Sequence, residues 1–161
     1  MARTFPTIQF QPTSMLPASS NGAAFVAHTT TPRSALAFDD STNESAIAAA
    51  ILPIEYLGTG TLKAKLFFYS ASANSGDAGW NVQVEAVTPG DTLDLEAAHS
   101  FDTANNGTQA LSGVAGNLTD ITISLSYKDS CAAGDLIRLA IQRDADSSDT
   151  VSGDLYLTLV E

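Results

Sequence analysis

At 161 residues the chain fits one domain, large enough to bury roughly 70% of the surface its unfolded form exposes and to hold a core without staples. Seven Lys and Arg against 18 Asp and Glu leave a formal net charge of −11, which argues against nucleic acid and anionic membrane surfaces as partners. Its one cysteine, Cys131, rules out an internal disulfide, and no apolar run approaches the about 20 residues a membrane-spanning helix needs.

Residues 1–35 read as an extended arm. Pro6, Pro12, Pro17 and Pro32 interrupt any regular element, and the opening MARTFPTIQFQPTSM lacks the apolar core of a signal peptide, so secretion is not expected. Phe5, Ile8 and Phe10 mark one short strand in the arm and Ala23 to Thr29 a second. Such an arm is expected to lie on something rather than float.

From Leu36 to Glu161 the chain alternates with period two between turn-forming clusters, the pattern of an antiparallel β-sandwich. Leu36 and Phe38 form a short strand. Ala46 to Leu52, closed by Pro53, forms the next. Leu62, Ala64, Leu66 and Phe68 alternate with Lys63, Lys65, Phe67 and Tyr69; Trp80, Val82, Val84 and Ala86 alternate with Asn81, Gln83, Glu85 and Val87. The pattern lapses from Pro89 to Leu118. Asp91 to Ala98 reads as a short helix with an Asp cap, a loop or a strand, and 101–116 as a variable loop. Strands return over Ile121 to Tyr127, Ile137 to Arg143 and Leu155 to Leu159. Seven to nine strands are too many for one flat sheet of this size. Two packed sheets follow, and the long irregular 89–118 connection favours a jelly roll over an up-and-down barrel.

No constellation of residues demands chemistry, so no catalytic, metal or cofactor residue is assigned. The DADSSD turn (Asp144, Asp146, Ser148, Asp149) and the Asp39-Asp40 pair carry hard oxygen ligands of the kind calcium takes, yet Asp and Ser are also what hairpin turns use. Glu85, Asp94, Glu96 and Asp102 are the acids from which a hydrolytic pair would be drawn, but nothing in their spacing brings two of them together. His28 and His99 lack ligand-spaced partners. Cys131 reads as packing, and the sequons at Asn43, Asn106 and Asn117 as products of composition. Trp80 shares its register with Val82 and Val84 and belongs to the core. Phe67 and Tyr69 face the other way from Leu66 and Phe68, beside Lys63 and Lys65, as an interface patch.

The runs LAFDDSTNESAIAAAILPIEY, GWNVQVEAV and AAGDLIRLAIQRDADSSDTVSGDLYLTLVE resemble small β-sandwich structural proteins of tailed bacteriophages over residues 36–161. The resemblance implies a non-enzymatic capsid decoration, or cement, protein on the outer surface of the virion. It would be a homotrimer bound to the major capsid protein, with no cofactor, nucleic acid or membrane. The arm residues Phe5, Ile8, Phe10, Met15 and Leu16, with Phe67 and Tyr69, would then be its contacts. The alternative is a receptor- or carbohydrate-binding sandwich, which predicts an exposed aromatic groove and an open sugar face at loop tips such as 101–116. An enzyme would instead require a cleft with converging acids.

Overall fold

A computed structural model describes residues 6–28, 33–58, 60–73, 75–97 and 100–161. Ten strands occur among them: β1 (Leu16–Pro17), β2 (Ala24–His28), β3 (Arg33–Phe38), β4 (Ser45–Ile51), β5 (Leu62–Ser70), β6 (Asp77–Val87), β7 (Asn105–Ala110), β8 (Thr119–Leu125), β9 (Leu136–Arg143) and β10 (Leu155–Val160). They form two five-stranded antiparallel sheets, in the orders β1-β4-β9-β6-β7 and β2-β3-β10-β5-β8. The chain passes repeatedly from one sheet to the other. The expected β-sandwich is the fold, and among the described residues no helix is long and apolar enough to cross a membrane.

Each sheet turns one face inward because its strands alternate. Trp80, Val82 and Val84 of β6 and Leu139 and Ile141 of β9 meet Leu66 and Phe68 of β5, Leu155 and Leu157 of β10 and the isoleucines of β8 in one core. Trp80 is fully buried, edge-on to Phe38 with ring centroids 5.1 Å apart and tilted against Phe68 at 5.3 Å. Such aromatic pairs contribute about 0.5–1.5 kcal/mol each beyond the area they bury.

The N-terminal residues complete this core. Phe10 and Val160 exchange two backbone hydrogen bonds, of 2.8 and 3.0 Å, and the Phe10 ring is buried in the core together with Met15. β1 adds an edge to one sheet through Leu16↔Ile47, and β2 adds an edge to the other through Phe25↔Leu36. Phe10 and Met15, expected to reach outward to another protein, are thus covered by their own domain. Leu16 remains 73% exposed, Ile8 is half-buried against the core, and Phe5 lies outside the described residues.

Two elements differ from expectation. Asn105–Ala110, read as loop, is an edge strand paired to β6 through Trp80↔Gly107. Its one inward position next to Trp80 is Gly107, where a Cβ would come within 2.8 Å of Ile121 and Ile123, so the space forbids the apolar side chain that would have announced a strand. Residues 91–97 form no helix; the carboxylate of Asp94 accepts from the Glu96 amide and a turn closes from Asp94 to Ala97.

Candidate functional site

β5 sends Ala64, Leu66 and Phe68 into the core and Lys63, Lys65, Phe67 and Tyr69 to the outer face of its sheet. On the neighbouring β10, Tyr156 stands directly opposite Tyr69, and their rings stack with centroids 5.1 Å apart and planes 15° from parallel. A bulge between Leu157 and Leu159 shifts the register of β10, placing Leu159 opposite Phe67 on the outer face while Val160 returns to the core. Lys65 lies 4.7 Å from the centre of the Phe67 ring and pairs with Asp120 at 3.2 Å. Along β5 the outer row therefore reads Tyr69, Phe67, Lys65, Lys63, about 20 Å at the rise of an extended strand.

This row runs into a cleft of about 1100 Å³ at the corner where β10 ends. Lys63 and Lys65 form one rim, Tyr56 stands on another, and Ile8, Leu52 and Leu62 line it within. Tyr56 is fixed by Lys128, whose ammonium sits 5.4 Å from its ring centre and donates to its hydroxyl at 2.8 Å and to the Gly58 carbonyl at 3.0 Å. Burial raises the Tyr69 hydroxyl pKa above its ordinary value; the neighbouring Tyr156 adds to the rise and the Arg33 charge opposes it. The hydroxyl therefore remains a neutral donor throughout the physiological range.

The outer face of the other sheet has a different chemistry. Asn106, Asn81, Gln142 and Ser45 lie side by side across four strands, next to a buried Arg138–Glu85 pair of 2.8 Å, and none of its outward strand positions carries an aromatic ring. Phe67 and Tyr69, singled out by alternation, are therefore part of the one aromatic strand face among the described residues. Tyr156 was missed because the leucines at 155, 157 and 159 dominate that segment; its position between two of them was the available signal.

Most of the acids weighed from sequence serve the fold, while Glu96 is exposed. Glu85 is buried, with Arg138 on one carboxylate oxygen and the Ser100 amide on the other. Asp102 accepts from the amides of Thr103 and Asp129. Glu85, Asp94 and Asp102 are thus each held by local donors. In the DADSSD turn, Asp144 accepts from Ser147 and Ser148, Asp146 from Asn43, and Asp149 from Arg143. Two hydrogen bonds from Ser41 lead the effects that hold Asp39 below the usual carboxylate range. Among the described residues no group of three or more His, Cys, Asp or Glu is placed to hold a metal ion. Burial raises the pKa of Cys131, whose thiol lies 3.8 Å from the Tyr56 hydroxyl. His99 and the side chain of His28 lie outside the described residues.

No family model matches the chain, and no curated protein matches it. Among solved structures it is similar to CBM28, a carbohydrate-binding module specific for non-crystalline cellulose, at a TM-score of 0.51 with 10% identity over 90% of this chain and 85% of that one. The CBM22-1 xylan-binding domain of Paenibacillus barcinonensis Xyn10C aligns at a TM-score of 0.49 with 10% identity, covering 96% of this chain and 92% of that one. A further match belongs to the carbohydrate-binding modules of the β-sandwich superfamily, at a TM-score of 0.48 and 12% identity; it covers 92% of this chain, which spans 56% of that longer one.

At such identities the likeness is one of fold. It nevertheless corrects the capsid decoration role expected from sequence, because the fold neighbour is a carbohydrate-binding module. Two of the arm residues expected to grip a shell are also enclosed in the core.

Proposed function

We propose that the chain is a non-catalytic carbohydrate-binding β-sandwich module whose sugar chain lies along the outer face of β5. The observation that carries this reading is the stacked Tyr69–Tyr156 pair, continued by Phe67 along the strand into the cleft beside Tyr56. A pyranose ring has an apolar face of C–H groups and an equatorial rim of hydroxyls. It packs its face on an aromatic ring while neighbouring donors and acceptors satisfy the rim. Here the Tyr hydroxyls, the lysines and the outward Thr122 and Ser124 of β8 supply those partners. The carbohydrate-binding fold of the solved structure CBM28 adds support.

The non-catalytic part of the reading rests on the acids. A glycosidase needs two carboxylates facing each other across an open site, roughly 5–10 Å apart. Glu85 is sealed against Arg138, and Asp102 holds the backbone of the 102–129 region in place.

Affinity gel electrophoresis against soluble glucans, xylans, mannans and uronate-rich polysaccharides tests the proposal. Retardation by at least one polymer, abolished in Tyr69→Ala/Tyr156→Ala with the thermal transition retained, is expected; a truncated aromatic anchor typically costs about 2 kcal/mol, or roughly 30-fold in affinity. Absence of retardation by every polymer overturns it.

A further inference from the structure

We infer that the β5 face selects acidic glycans, chains bearing carboxylate or sulfate groups, through Lys63 and Arg33; this rests on the carbohydrate-binding reading above. The chain has seven Lys and Arg, and the fold uses most of those described for internal purposes. Arg143 and Arg138 are consumed by Asp149 and Glu85 inside the protein. Lys128 is spent on Tyr56 and Gly58, and Lys65 is paired to Asp120. Among the described residues, Lys63 and Arg33 are the cations that neither an ion pair nor a side-chain hydrogen bond occupies. Both lie on the sheet that carries the aromatic row.

By register both cations stand toward the cleft end of that row, one on each side of β10. Lys63 is exposed there, six residues from Tyr69 along β5. Arg33 is exposed on β3, on the same face as Ala37, which stands opposite Tyr156; its charge reaches the Tyr69 hydroxyl. β3 is separated from β5 by β10 alone, about 10 Å across the sheet. The acids on this side include Asp120, held by Lys65; Glu161, which accepts from Gln9; Glu55 on the cleft rim; and, at the Tyr69 end, Asp154 just before β10. Against a net charge of −11, an acidic polymer is repelled from most of the surface, so one that binds must do so where free cations stand. An anionic substituent toward the cleft end of a sugar chain stacked on Tyr69, Tyr156 and Phe67 meets them.

The test compares an oligogalacturonate with a neutral gluco-oligosaccharide of equal length, by isothermal titration calorimetry, for the parent chain, Arg33→Gln/Lys63→Gln and Tyr69→Ala/Tyr156→Ala. Neither cation takes part in a described ion pair, so the double Gln variant should keep its thermal transition. The inference expects the acidic ligand to bind at least tenfold tighter than the neutral one. It also expects a roughly two- to fivefold loss for each cation removed, and weakening as the salt is raised from about 50 to 500 mM. Equal binding of both ligands, unchanged in Arg33→Gln/Lys63→Gln, overturns the acidic preference and leaves the carbohydrate-binding reading intact. Binding of neither ligand, nor of any polymer in the gel panel, overturns both. Acidic binding that survives Tyr69→Ala/Tyr156→Ala but not Arg33→Gln/Lys63→Gln reflects charge attraction alone and also overturns the inference.

Discussion

Arg143 and Asp149 meet in a two-point ion pair, Nε donating to Oδ2 at 3.0 Å and Nη2 to Oδ1 at 2.8 Å, with both side chains closed off from solvent. The remaining guanidinium hydrogens go to the carbonyls of Phe38, Gly153 and Val151, so all five donors are used. Asp149 in turn accepts from the amides of Gly79 and Val151. One side chain thereby ties β9 to the end of β3 and to the turn before β10, at the end of the sandwich opposite the cleft.

Removing one partner of such a pair leaves a buried charge without compensation. Arg143→Met is therefore expected to lose about 3–5 kcal/mol of stability, measured by urea denaturation. A loss under about 1 kcal/mol would show that the pair is solvated in solution.

Phe10 separates an arm that belongs to the domain from one that reaches elsewhere. Because its ring is 5% exposed and lies in the main core, Phe10→Ala should cost about 3–5 kcal/mol in the same denaturation experiment. An unchanged midpoint would mean that residues 6–15 detach in solution.

Tyr69 gives a pH dependence with a definite sign. Its pKa is raised in the folded state from the ordinary 10.0, chiefly by burial. As pH passes about 10 the unfolded chain releases this proton before the folded one does, so the tyrosine's linkage lowers stability with rising pH until the folded group also ionises. Below that pH both states hold the proton and the contribution is flat. Spectrophotometric titration of the parent minus Tyr69→Phe should show a transition above 10, and the variant should lose less stability between pH 10 and 11. A difference transition at or below 10 would contradict the burial of this hydroxyl.

Much of this architecture was legible in the residues. β5 and β8 alternate cleanly, as does β6 from Trp80 to Val84, and these inward and outward sets fall where alternation places them, including Trp80 in the core and Phe67 and Tyr69 outside; past Val84 the rule lapses, with Glu85 and Val87 buried. Leu159 breaks the rule its neighbours obey, because the bulge at Thr158 and Leu159 turns it outward and sends Val160 in; nothing local in a run of alternating leucines marks that insertion. β7 was hidden for the opposite reason, since the packing beside Ile121 and Ile123 leaves room only for Gly107 where an apolar residue would have been the signal. The prolines of the N-terminal segment do exclude long elements there. They do not exclude the short edge pairings and the buried Phe10 that bind it to the sandwich, which depend on contacts with Val160 and Ile47 far along the chain. Asp149 read as one oxygen of an acidic turn, and nothing in the turn itself marked Arg143, at the end of the preceding strand, as its buried partner.

The carbohydrate-binding claim is tested most directly by an NMR titration of the ¹⁵N-labelled chain with the polysaccharide fragment that retards it best. The expected result is a contiguous set of shifted amides along Lys63 to Ser70 of β5 and Leu155 to Val160 of β10, with Tyr56 at its end and with Asn81, Gln142 and Asn106 on the other sheet unmoved. Shifts confined to that other sheet, or to the loop tips of 111–118, would contradict the site; no shifts at millimolar ligand would contradict the function.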